Sequence, residues 1–178
     1  MRKKVLITTG VVILAIGGYM VTGIHKDTES NAIDAQNIKQ LVSSYSSGSM
    51  EAQSASITSQ TLIVTGNDAK TVSYNLPKNE FFLSIAPYVN KTHPCETHSL
   101  TGCQGEMVEE DFNVSIVDKE GNEILNKPMR SQPNGFIDLW LPRNKTYHIK
   151  IEQNGKTAES EVSTFNSDNT CITTMQIL

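Results

Sequence analysis

The chain has no excess of basic residues: 15 Lys and Arg stand against 19 Asp and Glu, a net charge of −4 over 178 residues. Beyond Gly23 the imbalance deepens, with twelve basic residues against all nineteen acidic ones, or −7. Such a surface repels phosphate backbones, which argues against a nucleic-acid partner. The local signatures of common catalysis are missing too. No GxSxG, HExxH, P-loop or GxGxxG occurs, so an ordinary hydrolase is not indicated. Repeats, low-complexity tracts and long linkers are absent, and a hydrophobic content of 38% suits one ordinary domain or two small ones with a modest core. Cysteine is scarce, and its count of three is odd. In an exported protein complete internal pairing is then excluded, and at least one thiol is free, cross-linked or metal-bound.

Export is indicated by the N-terminus. Met1-Arg2-Lys3-Lys4 is followed by an uncharged stretch from Val5 to Ile24, a basic n-region before an apolar segment. Its length is enough for a helix to span about 30 Å of hydrocarbon, so residues 1–24 read as a signal peptide or a retained membrane anchor. Val21 and Gly23 are small enough for the −3 and −1 positions of a cleavage site, and no cysteine follows to carry a lipid. The expected location is extracytoplasmic, periplasm or cell surface, either secreted or anchored.

Downstream, Ala35, Ile38, Leu41, Val42 and Tyr45 recur at helical spacing. They predict an amphipathic helix from Ala32 to Tyr45, capped by Asn31, with Asp34 in its first turn. Ile57 to Thr65, the turn Gly66-Asn67-Asp68, and alternating Val72, Tyr74 and Leu76 predict a β-hairpin closed by Pro77. Phe81, Leu83 and Ile85 predict a strand ended by Pro87. From Phe112 onward short alternating strands are separated by turn signals at Asp118–Asn122, Asn134-Gly135 and Asn154-Gly155. A last strand runs from Cys171 to Leu178, with Cys171, Thr173, Met175 and Ile177 on one face. The fold class is α+β: a helix and β-hairpin unit over 31–77, then a small antiparallel β-sandwich over 78–178.

The chemistry gathers in HPCETHSLTGCQGE, His93 to Glu106, which holds two of the three cysteines and two of the four histidines. Cys95 and Cys103 are too far apart for a Cys-x-x-Cys redox motif or a zinc knuckle. Three readings stay open. A Cys95–Cys103 disulfide would leave Cys171 a buried thiol. Cys95 and Cys103 could cycle between dithiol and disulfide in a redox protein. Or Cys95, Cys103 and Cys171 could hold a soft ion, Cu(I) being favoured by three thiolates, whereas Zn(II) would recruit a fourth ligand such as His98 or His93. His25 and His148 read as surface residues, Met107 and Met175 as core fillers, and Glu109-Glu110-Asp111 as a solvated turn.

Three blocks in order, FLSIAPYVNKTHPCETHSLTGCQGE (Phe82–Glu106), NGFIDLWLPRN (Asn134–Asn144) and TCITTMQI (Thr170–Ile177), resemble the CueP family of exported bacterial copper-binding proteins. The resemblance implies a copper site of Cys95, Cys103 and Cys171 in the β domain of residues 78–178, with His93 and His98 assisting nearby. It further implies copper resistance or storage, reduction of Cu(II) to Cu(I), and delivery to recipients such as copper-zinc superoxide dismutase. The N-terminal unit is implied to take part in homodimer formation. The alternatives are a thiol-disulfide redox protein and a surface adhesion module stapled by a disulfide.

Overall fold

The computed structural model describes residues 29–31 and 34–178. The apolar segment Val5–Ile24 and His25 lie outside the described residues, among which no helix is long and apolar enough to cross a membrane.

Strand β1 (Glu29–Asn31) precedes the helix α1 (Ala35–Ser46), which begins three residues later than the periodicity suggests. Asp34 is the cap: its carboxylate accepts from Gln36 N at 2.7 Å. Asn31, the expected cap, is instead in register with Tyr74 in a parallel pairing. The stripe Ile38, Val42 and Tyr45 is buried, so α1 spends its apolar face on its own protein.

The expected long strand Ile57–Thr65 is two strands, β2 (Ser54–Ile57) and β3 (Thr61–Thr65). Between them the Thr58 hydroxyl accepts from Gln60 N and Thr61 N at 3.2 and 3.0 Å, a side-chain turn that reverses the chain. β3 forms the expected hairpin with β4 (Thr71–Asn75), and the sheet order is β1-β4-β3-β2-β6, where β6 is His98–Ser99. Two other sheets form the sandwich. One orders β11 (Lys156–Ser163), β10 (Thr146–Gln153), β7 (Asp111–Asp118) and β8 (Glu123–Arg130). The other orders β12 (Cys171–Ile172), β5 (Glu80–Ile85) and β9 (Ile137–Pro142).

Between these two sheets lies a core of Phe81, Leu83 and Ile85 from β5, Ile137, Leu139 and Leu141 from β9, and the inward residues of β7 and β10. The opposite face of β5 presents Phe82 to a second core, built by α1, β2 and β3 with Leu100. β5 is therefore buried on both faces, and each of its large side chains contributes about 1.5–3 kcal/mol by leaving water. On that second face Asp138 accepts from Ser46 at the end of α1 (2.6 Å), Ser84 of β5 (2.6 Å) and Gln132 (2.8 Å). Burial pushes its carboxyl up from the usual range, and these three donors pull against that shift. The α+β class and the sandwich are as the sequence indicates, with one difference at the C-terminus. β12 is two residues long and runs parallel to β5, after which the chain continues as irregular backbone held by an isolated Tyr88–Gln176 bridge and by reciprocal backbone hydrogen bonds between Thr157 and Leu178. The alternation survives without the ladder: Cys171, Thr173, Met175 and Ile177 are all buried.

Candidate metal centre

β5 delivers the chain through Pro87 into a loop whose start is fixed from its far end: the Glu106 carboxylate accepts from Val89 N and Asn90 N at 2.7 and 2.8 Å. These bonds hold the Glu106 pKa down to about 2. His98 then opens β6, which pairs with β2 through Ile57↔His98 and Ser56↔Ser99. A tight turn follows, in which Cys103 N donates to Ser99 O at 3.0 Å and Ser99 N donates to Cys103 Sγ at 3.4 Å, folding Cys103 back over β6. Gly105 next passes against Gly135, with Gly105 N donating to Asn134 O at 2.7 Å. Cys171 arrives beside β5, and both Thr170 N and Cys171 N donate to Glu96 O, at 3.0 and 3.2 Å. The distant third sulfur is thereby clamped to the residue next to Cys95.

The result is one cluster. Cys95, His98, Cys103 and Cys171 each offer a ligand atom, and these atoms all lie within 4.8 Å of one another. Cys95 and Cys171 are joined as a disulfide and Cys103 is free, so the Cys95–Cys103 bridge allowed by the spacing is not the pair that forms. Cys103 Sγ stands 3.6 Å from Cys95 Sγ, and His98 Nδ1 stands 3.6 Å from Cys171 Sγ. Ala86, Phe136 and Cys171 form a small apolar floor, against which Cys95 and Cys103 pack half-exposed.

His98 is the best-defined member. It is fully buried, with its ring 4.5 Å from Phe136 and 6.2 Å from Phe82 between centroids. Burial, and then the charge of His93, push its pKa down to about 4. At neutral pH the imidazole is therefore uncharged and keeps a lone pair for a metal. Its Nε2 has no hydrogen-bond partner among the described residues. His93 is outside the four-residue cluster, half-buried with its ring 6.4 Å from Phe136. Met175 lies in the sandwich core with Met107 packed against it, and His148 is exposed beside Glu159, as expected of them. Sequence reasoning missed Phe82 and Phe136 as the walls of the His98 pocket and Thr170 as a polar partner of His98. Their advance signal was that each lies inside one of the three blocks quoted above.

A β-sandwich with a recessed cluster of three sulfurs and one neutral imidazole belongs to the class of proteins equipped for a soft or borderline metal ion. The comparisons name the family within that class. The model of the periplasmic copper-binding protein CueP family matches residues 36–176, and the chain belongs to that family. The crystal structure of S.CueP is 38% identical, covering 79% of this chain and 88% of that one, with a TM-score of 0.74. Among curated proteins none matches.

Proposed function

We propose that this protein captures Cu(I) as cargo outside the cytoplasm, using Cys95, Cys103 and Cys171 as thiolates, with His98 beside them and His93 assisting from the rim. The observation that carries the reading is the convergence of four donors within 4.8 Å, three of them sulfur, from segments distant in sequence. Three thiolates match the low coordination number that Cu(I) accepts, and a zinc ion would draw His98 in as its fourth ligand.

Capture requires the Cys95–Cys171 bond to be reduced, which takes two electrons and two protons from a thiol donor. The reverse supplies chemistry of its own. As the Cys95 and Cys171 thiols join, they release two electrons and two protons, reducing two Cu(II) to Cu(I). Cys103, 3.6 Å from Cys95, is placed to exchange with that bond, which is the specific support for a thiol-disulfide role alongside binding. The roles assigned to such a site are copper resistance or storage and delivery to a recipient such as superoxide dismutase, a reading supported by the partial exposure of Cys95 and Cys103. The 31–77 unit is assigned to homodimer contacts and residues 78–178 to copper binding, whether the chain is secreted or anchored.

The test is anaerobic titration of the reduced protein against a Cu(I)-selective chelator. One tightly held equivalent of Cu(I) is expected. Tighter binding of Zn(II) than of Cu(I) would overturn the assignment.

A further inference from the structure

Thr170 is 1% exposed and directly precedes Cys171. Each of its polar atoms bonds to a different segment. Its N–H donates to Glu96 O at 3.0 Å, in the loop between Cys95 and His98, and its carbonyl accepts from Ser84 N of β5 at 2.9 Å. Its hydroxyl accepts from His98 N at 3.0 Å and donates to Ile57 O of β2 at 2.7 Å. His98 and Ile57 are register partners, so the hydroxyl stands in the span where two antiparallel strands pair directly. Two residues on, the direct bond is present, Leu100 N to Ala55 O at 2.8 Å.

We infer that Thr170 is a positioning residue of the candidate metal centre: its hydroxyl, inserted between β2 and β6, sets where His98 stands relative to Cys171. All four donors depend on this junction. Cys171 is its covalent neighbour, Cys95 is tied through Glu96, His98 is held through its backbone N–H, and Cys103 takes its hydrogen bond from Ser99, the residue after His98. The hydroxyl touches no sulfur itself and acts by fixing the backbone from which the ligands project. Without it, the buried His98 N–H and Ile57 carbonyl lose their partner and the strands must shift to find another. The inference rests on the copper reading for its affinity readout, and a metal-free readout separates the two.

The comparison uses the full chain as wild type, Thr170→Val, Thr170→Ser and Thr164→Val. Thr164 is a control of the same kind, fully buried, its hydroxyl donating to Pro142 O at 2.9 Å and accepting from Lys145 N at 3.2 Å, at a location outside the cluster. The first readout is Cu(I) affinity of the reduced proteins by chelator competition. The second is the metal-free pairing equilibrium of Cys95 with Cys171 in a Cys103→Ser background. There two thiols and one oxidised glutathione give the disulfide and two reduced glutathiones. Loss of supporting contacts around a metal site costs about 10–100-fold in affinity, so Thr170→Val should lose about tenfold or more in Cu(I) affinity. Its pairing equilibrium should fall in parallel, because the two sulfurs lose their enforced proximity. Thr170→Ser keeps the hydroxyl and should match wild type in both. Thr164→Val should lose thermal stability while leaving both unchanged. A valine variant with an unaltered pairing equilibrium, or an equal loss in Thr164→Val, overturns the inference. If the valine variant does not fold, Thr170→Ala replaces it, and a serine variant as impaired as alanine overturns the inference equally. Wild type that takes up no Cu(I) would overturn the copper reading, while the pairing equilibrium still decides the role of Thr170.

Discussion

Gly135 and Gly155 share a backbone conformation and differ in what surrounds it, which lets one pair of substitutions separate strain from crowding. Their φ values are +79° and +77°, in the region where a Cβ costs about 1–2 kcal/mol. At Gly155, in the β10–β11 turn, an added Cβ meets nothing within 4 Å. At Gly135 it would lie 2.7 Å from Gly105 O and 2.8 Å from Gly105 C and Cα, all backbone atoms that cannot swing aside. Forcing a methyl into such packing adds about 1–3 kcal/mol. Gly155→Ala should therefore cost about 1–2 kcal/mol and Gly135→Ala about 2–5 kcal/mol. At about 2–4 °C per kcal/mol for a chain of this size, the thermal midpoints should fall by roughly 2–8 °C and 4–20 °C. Gly105 lies two residues after Cys103, and Gly135 immediately precedes Phe136, the wall of the His98 pocket, so only Gly135→Ala should also weaken metal uptake. Thermal unfolding of the reduced, metal-free variants measures the first effect and chelator competition the second. Equal losses of stability at the two glycines would refute the claim that the Gly105–Gly135 crossing is a close-packed support of the site.

Two pH-dependent predictions follow from named groups. His98 has its pKa pushed down to about 4 from 6.5, so the unfolded chain binds the proton more readily. Stability should be unaffected above pH 6.5 and fall as pH drops toward 4, by about 3 kcal/mol at most, and His98→Phe should abolish that component. Urea unfolding of both proteins between pH 4 and 7 measures it, and parallel pH profiles would contradict the buried neutral imidazole. Glu106, held down to about 2 from 4.5, contributes stability present above its ordinary value and lost as pH falls toward 2. Glu106→Gln should speed hydrogen exchange at the Val89 and Asn90 amides near neutral pH, and unchanged exchange there would show that the carboxylate does not hold the loop.

How much of this was readable in advance varies by element. The alternation of Phe112, Val114 and Ile116, and of Tyr147, Ile149 and Ile151, announces strands because one face of their sheet is buried, and the Asn154-Gly155 turn announces its hairpin. The helix start was displaced because Asn31 and Asp34 are both competent caps, and the choice was made by a strand pairing remote in sequence. The break at Thr58 was hidden because the Ser and Thr residues there fit a strand as well as a side-chain turn. β5 looked like a one-faced strand since Phe81, Leu83 and Ile85 alternate, yet Phe82 is buried too, against a second core that no local pattern reveals. At the site the cysteines and His98 were legible as residue types capable of ligation. The Cys95–Cys171 pairing was not, because it depends on β12 lying parallel to β5, and local spacing favoured Cys95–Cys103.

The central claim is that Cys171, from the far end of the chain, completes a Cu(I) site with Cys95 and Cys103. Cys171→Ser exchanges a soft sulfur for a hard hydroxyl in a buried position of nearly the same size. Anaerobic chelator competition on the reduced variant should show Cu(I) affinity falling by more than the roughly 10–100-fold that loss of a supporting partner costs. Thermal unfolding of the reduced, metal-free protein should change little beside it. Cu(I) binding of undiminished strength in Cys171→Ser, with the fold intact, would contradict the three-cysteine site.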